Sequence, residues 1–369
     1  MGQAYSWHPG GCPLNRRWVL PVPLLPDEVF SGWLVRAALA QGCDPLVLTG
    51  ELWPKWRVWT LDCDRGVPDA RLAVLERECG IPAEAFRASM LPPLMVNVAG
   101  RVPEPHEPWP WVRPFGRRNR RCVQGWQYCP SCLKEDGRPF LRLHWRLAWH
   151  VACGRHEMML LDRCPHCGGP VLPHRLSAED KTLVRCALCG ADLRRARPGP
   201  AGGGILAMQQ ACDEAARSGV ARQGNEDARV EDWFDLARFF TGWLRRCDLT
   251  ARREFVRQLL PDAGEIERPA LTLGVEALPL EERARLVVPA VRLASTGTRK
   301  MVEAALEAGL SARSFHTRNR LPALLEPVVA ALPERGRSRR NRMADGGGPR
   351  SREAVERMWW RLQRKAGLA

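Results

Sequence analysis

Four short knuckles between Cys129 and Cys189 constrain this chain more than any other feature. They read Cys129-x2-Cys132, Cys153-x2-His156, Cys164-x2-Cys167 and Cys186-x2-Cys189. A two-residue spacer lets both ends of a knuckle point at one ion with little loop entropy, and two knuckles complete a tetrahedron around a d10 cation. Pairing in sequence gives one site of three thiolates and an imidazole (Cys129, Cys132, Cys153, His156). It leaves a second, all-thiolate site (Cys164, Cys167, Cys186, Cys189). A cross-braced pairing of the same knuckles satisfies the same chemistry. Either way all eight ligands come from the chain and no position stays open. The pattern therefore predicts two structural Zn2+ per chain rather than a catalytic metal. Redox C-x-x-C pairs are the other reading of such knuckles, and four at regular spacing speak against it. The remaining seven Cys read as free thiols, with Cys122 as the possible stand-in ligand.

Start and stop residues place the helices of the flanks. Residues 26–38 put Val29, Phe30, Trp33, Leu34 and Ala37 on one stripe, with Asp27 as the expected N-cap. Gly42 closes that helix, and Asp44-Pro45 opens the next, giving a helix-turn-helix outline. Residues 101–126 are rich in Pro and Trp, then basic at Arg117, Arg118, Arg120 and Arg121. They read as an extended linker or as a strap that contacts phosphates. Between the first two knuckles, Leu141, Trp145 and Trp149 lie at helical spacing among Arg residues; they are expected to pack the zinc core, the other reading being a surface on which nucleic-acid bases stack. Residues 198–204 read as a Gly/Pro hinge. A second helix-turn-helix is expected near 299–320, with Gly309 as the left-handed stop and Ser311 as the next cap. Its second helix would turn Arg313, His316 and Arg318 outward.

The predicted fold is thus mainly α: helix-turn-helix units flanking a tandem zinc-knuckle, zinc-ribbon-like centre, with a helical C-terminal domain. The expected divisions are an N-terminal helical domain with linker over 1–125 and a tandem zinc-binding domain over 126–197. A helical domain over 205–333 and a basic tail over 334–369 complete the chain.

Charge adds a partner class. The chain has 56 Lys+Arg against 41 Asp+Glu, a net charge of +15, which favours polyanions. Residues 335–369 alone carry a net +8, including Arg339 and Arg340. No stretch approaches the roughly 20 apolar residues of a membrane helix, and the amino terminus lacks a secretory pattern. Thiol-rich and unstapled, the chain is expected in a reducing cytoplasm, nucleoid-associated when engaged.

The residues also carry a family resemblance. Tyr128-Cys129-Pro130-Ser131-Cys132-Leu133-Lys134-Glu135-Asp136, Leu143-His144-Trp145-Arg146, Cys153-Gly154-Arg155-His156 and Cys164-Pro165-His166-Cys167-Gly168 together resemble the TniQ/TnsD proteins of transposons. Leu25-Pro26-Asp27-Glu28 through Trp33 and Arg36 is similar to the opening of that family, with Val29 and Gly32 where the family often has Ser. The resemblance spans roughly residues 20–195. It implies a non-enzymatic target-selection adaptor for DNA transposition, binding DNA or docking as a homodimer on an RNA-guided CRISPR effector. It further implies recruitment of an AAA+ transposition regulator. Two other readings remain: a zinc-finger and helix-turn-helix transcription regulator, and a metal-dependent nucleic-acid enzyme. The last would need an open metal position, clustered carboxylates or a phosphate loop, and the sequence shows none of these.

Overall fold

A computed structural model describes residues 18–118, 121–123, 125–245, 250–263, 273–316 and 320–334, and the single position 359; side chains are described outside 116–123. The chain is mainly α, with three two-stranded hairpins. Among the described residues no helix is long and apolar enough to cross a membrane.

The first helices are α1 (Phe30–Ala40), α2 (Pro45–Leu52), α3 (Asp69–Cys79), α4 (Ala83–Ala88) and α5 (Pro92–Ala99). The stripe expected from sequence buries Phe30, Trp33, Leu34 and Ala37 completely. The start of α1 differs from expectation. Its N-cap is Val29, whose backbone N–H donates to Leu141 O at 2.9 Å. Asp27 lies outside the helix with φ of 61°, and its carbonyl accepts from Leu143 N–H at 2.8 Å. A backbone bridge to residues 141–143 therefore replaces the side-chain cap. Gly42, with φ of 74°, ends the α1 turn as expected. Asp44 precedes Pro45 of α2, but its carboxylate accepts from Ala178 N–H at 2.7 Å instead of capping its own helix.

Next come β1 (Gly116–Arg118) and β2 (Arg121–Val123), then α6 (Pro130–Glu135), β3 (Ala152–Cys153) and β4 (Met158–Met159). Two expectations are corrected in this stretch. Residues 140–149 do not form a helix. They run as isolated bridges around a 3-10 turn over Leu143–Arg146, because Leu141 O, Leu143 N–H, Arg146 O and Ala148 N–H pair with residues 27–29 and 111–113, while the bonds kept inside the segment span three residues. Trp145 and Trp149 are nevertheless buried, as expected. The Pro/Trp-rich stretch is no exposed linker: Trp109, Trp111, Val112, Arg113 and Trp126 are all buried, and Gly116–Arg118 pairs with Arg121–Val123 as β1 and β2. Indoles of that size gain too much on leaving water to remain on a tether.

The last part holds α7 (Gly203–Ser218), β5 (Val220–Gln223), β6 (Glu226–Arg229), α8 (Val230–Leu244), α9 (Thr250–Leu259), α10 (Leu280–Ala294), α11 (Thr298–Glu307), α12 (Ala312–Phe315) and α13 (Glu326–Ala330). Along α8, Trp233, Phe234, Ala237, Phe240 and Leu244 recur every three or four residues and are buried. They pack this helix along α10 and against α5. The segment read as a hinge is tied down instead: Met159 N–H donates to Gly199 O at 2.9 Å and Ala201 N–H to Glu157 O at 2.8 Å. At the β5–β6 turn, a Cβ on Gly224 would lie 2.8 Å from Gly297 Cα, so only glycine lets the hairpin reach the start of α11.

One continuous apolar cluster, from Val22 to Leu332, joins all these parts. Trp111 shows how. Its indole N–H donates to Phe234 O at 3.1 Å, its backbone N–H to Glu276 at 3.2 Å, and its ring meets Trp149 and Phe234 edge-on. Asn97 reaches Ala216 O, and Arg283 reaches Gln127, across the same seam.

Candidate metal centres and the buried network around them

At the first centre, Cys129 is the N-cap of α6 and Pro130 its first residue, which aims Cys132 back at Cys129 one turn later. Cys153 ends β3, and His156 sits in the tight turn to β4, closed by Glu157 N–H on Cys153 O at 2.8 Å. The His156 Nδ1 lies 3.3–3.4 Å from all three sulfurs, and the Cys132 and Cys153 sulfurs are 3.6 Å apart. A tetrahedron with Zn–S about 2.3 Å and Zn–N about 2.0 Å has edges of roughly 3.5–3.8 Å. His156 Nε2, on the far side of the ring from the sulfurs, is covered and lies 3.0 Å from the Glu135 carboxylate, a placement that orients a ligating imidazole. All three cysteines are buried.

The second centre is built from two copies of one device. Cys164 N–H donates to Gly169 O and Gly168 N–H to Cys164 O; Cys186 N–H donates to Ala191 O and Gly190 N–H to Cys186 O. Gly168 and Gly190 both adopt positive φ, at 66° and 71°. Arg163 and Arg185, each one residue before the knuckle, donate to Gly168 O and Gly190 O respectively. Sulfur pairs across the two knuckles are 3.8 Å apart (Cys164 to Cys189, Cys167 to Cys186). Cys164 and Cys186 are buried, whereas Cys167 and Cys189 are exposed. The bracing arginines were not anticipated, although the repeated Arg-Cys-x-x-Cys-Gly is legible once the knuckles are aligned. Of the two pairings open in the sequence, the sequential one is observed: in each group every ligand atom lies within 4.8 Å of the others. Both donor sets are compatible with a closed, structural metal site.

Beside these centres lies a buried polar network that sequence reasoning missed. Arg146, 1% exposed, donates to Asp62 at 2.7 Å, to Asp64, and to Arg113 O at 3.0 Å. Asp64 in turn accepts from the Ser31 amide and hydroxyl, both at 2.8 Å, and Trp126 donates to Ser31 Oγ. Burial, with Asp62 close by, pushes the Asp64 carboxyl up to about 6 against the pull of Arg146. Arg113 pairs with Asp162 at 3.2 Å and is lowered to about 10, chiefly by burial. His174 stacks on Trp59 at 5.3 Å with a buried, unpartnered Nδ1, and burial holds its pKa at about 4.

The opening motif works in the same structural way. Arg36 forms a two-pronged pair with Glu28 at 2.8 and 2.6 Å and also donates to Pro23 O. Trp33 donates to Val22 O, and Gln41 to Leu20 O. Three side chains of the α1 segment thus pin residues 20–23 as an extended strap. Gly32 admits the backbone of Leu141, whose Cβ would be 3.2 Å from a Cβ placed there.

The expected nucleic-acid contacts are only partly described. Arg117, Arg118 and Arg121 lie on the β1–β2 hairpin backbone, and Arg120, Arg318, Arg339 and Arg340 fall outside the described residues. Arg313 and His316 are exposed. The helix carrying Arg313 is a single turn, Ala312–Phe315, and His316 already caps its end. It is shorter than the expected second helix because Ser314 O is taken by Trp243 and Arg252. Ala305 and Phe315 are buried and Gly309 has φ of 73°, as the sequence required.

No curated protein matches the chain in a sequence comparison. The model of the TniQ family matches residues 19–160, which include the strap, Arg146 and the whole first metal centre but not the second. By that match residues 19–160 of the chain carry a TniQ domain.

Proposed function

We propose that this protein is a non-enzymatic target-selection adaptor for DNA transposition. In this reading it binds nucleic acid or an RNA-guided CRISPR effector and recruits an AAA+ regulator. The TniQ match over a segment that builds one complete, closed metal centre carries the proposal. We assign one structural Zn2+ to Cys129, Cys132, Cys153 and His156, and another to Cys164, Cys167, Cys186 and Cys189. Bound there, zinc would cross-link loops that have little core of their own, worth about 10–16 kcal/mol of apparent binding energy per site. The thiolate-rich donors and the nearly tetrahedral spacing support zinc over a hard, oxygen-seeking cation. Arg117, Arg118, Arg120, Arg121, Arg313, His316, Arg318, Arg339 and Arg340 are the proposed nucleic-acid contacts, and the charge of the tail supports them.

Co-purification with the products of neighbouring genes tests the reading. Recovery of an AAA+ protein or of a CRISPR ribonucleoprotein is expected. DNA cleavage or strand joining by the pure protein with Mg2+ would overturn it.

A further inference from the structure

The strap and the first helix enclose a cleft that no part of the family match explains. Its volume is about 300 Å3, near the low end of ligand clefts. One wall is the strap, Pro21, Val22 and Pro23, and the floor is Leu39 and Ala40 of α1. Opposite stand Gly137, Arg138 and Pro139 from the loop after α6, with Lys181 and Thr182 from between the knuckles of the second centre. Three segments far apart in sequence therefore meet around one hollow.

Its chemistry is lopsided. Arg36 lines the cleft, but its charge is spent on Glu28. Arg138 and Lys181 are exposed, and neither has a carboxylate partner among the described residues. No Asp or Glu lines the hollow, and three of its walls are prolines, which offer no N–H donor. The side-chain donors left for an anionic visitor are the Arg138 and Lys181 cations and the Thr182 hydroxyl, above an aliphatic floor. Nucleic acid fits this poorly, because no aromatic side chain lines the cleft for a base to stack on.

We infer that this cleft is a docking site for an acidic, aliphatic peptide segment of a partner protein, with its carboxylates on Arg138 and Lys181 and an aliphatic side chain against Leu39 and Val22. The inference deepens the adaptor reading and rests on it only for the partner being a protein. Strap residues 20–23 are pinned by Trp33, Arg36 and Gln41, so the cleft is preformed and its occupant loses less on binding.

Fluorescence anisotropy tests it with the full-length protein and a short labelled peptide of alternating Asp/Glu and Leu. The comparators are the Asn/Gln analogue of that peptide and a labelled single-stranded oligonucleotide. Saturable binding of the acidic peptide is expected. R138E combined with K181E should weaken it by at least about tenfold, and A40W, which fills the floor without touching charge, should weaken it as well. Metal content and circular dichroism of both variants should match the parent. Equal binding of the neutral analogue, indifference to both variants, or displacement of the peptide by the oligonucleotide from this cleft would each overturn the assignment. The titration contains no transposition machinery, so its failure is distinct from failure to recover an AAA+ partner.

Discussion

Arg146 and Asp62 stand 84 positions apart in the chain, yet the guanidinium Nη2 lies 2.7 Å from the carboxylate, both side chains out of solvent. The same guanidinium holds Asp64, and through it Ser31 of α1. One cation therefore compensates two carboxylates at the junction of the first helix, the 62–64 turn and the segment beside the first metal centre.

Removing that cation leaves buried Asp64 with only the Ser31 amide and hydroxyl, and Asp62 with Arg65 as its remaining cation. Arg146→Met should cost about 3–5 kcal/mol, read as a fall in the urea midpoint. Combining it with Asp62→Asn and Asp64→Asn should restore part of the loss. A single substitution within about 1 kcal/mol of the parent would show the network to be incidental.

Metal removal should proceed in order. A competing chelator reaches the second centre through exposed Cys167 and Cys189, whereas all three cysteines of the first are buried. Two zinc equivalents should leave in separate phases, the faster from the second centre. The double variant Cys167→Ser, Cys189→Ser should keep only the slower phase. Release of both together, or persistence of the fast phase in the variant, would contradict the unequal exposure.

Acid should weaken the fold partly through His174. Its folded pKa of about 4 lies below the ordinary value of 6.5, so the unfolded chain binds the extra proton first. The stability from keeping this ring neutral is complete above about pH 6.5 and disappears as pH falls toward 4. The full effect is at most about 3 kcal/mol. His174→Phe keeps a ring on Trp59 and cannot titrate. The melting temperature of the variant should fall less steeply than that of the parent between these pH values; parallel curves would rule His174 out.

Nucleic-acid grip and site choice should separate. Deleting residues 335–369 removes a net +8 and should flatten the salt dependence of binding. Replacing Arg313, His316 and Arg318 by Ala should erase sequence preference while leaving most of that salt slope. An unchanged preference would assign α12 to packing, as its bonds to Trp243 and Arg252 already do in part.

The metal ligands and the α1 stripe were legible because each is written locally: a two-residue spacer for a knuckle, a three-or-four-residue period for a helical face. Gly309 and Ser311 were legible for the same reason. Arg146 was not, since its carboxylate partners lie more than 80 positions upstream and no local period marks them. Leu141, Trp145 and Trp149 misled by helical spacing, because residues 27–29 and 111–113 captured the hydrogen bonds that a helix would have used. The Trp-rich stretch misled by its prolines, which mark extended backbone but say nothing about burial.

Trp111 has a practical consequence for anyone dividing this protein. The family match stops at residue 160, but this indole donates to Phe234 and its backbone amide to Glu276. A fragment trimmed to the matched segment would present Trp111 and Trp149 to water and strand an indole donor. It should aggregate where the longer chain stays dispersed. The matched segment thus shares its core with residues that lie beyond its own end.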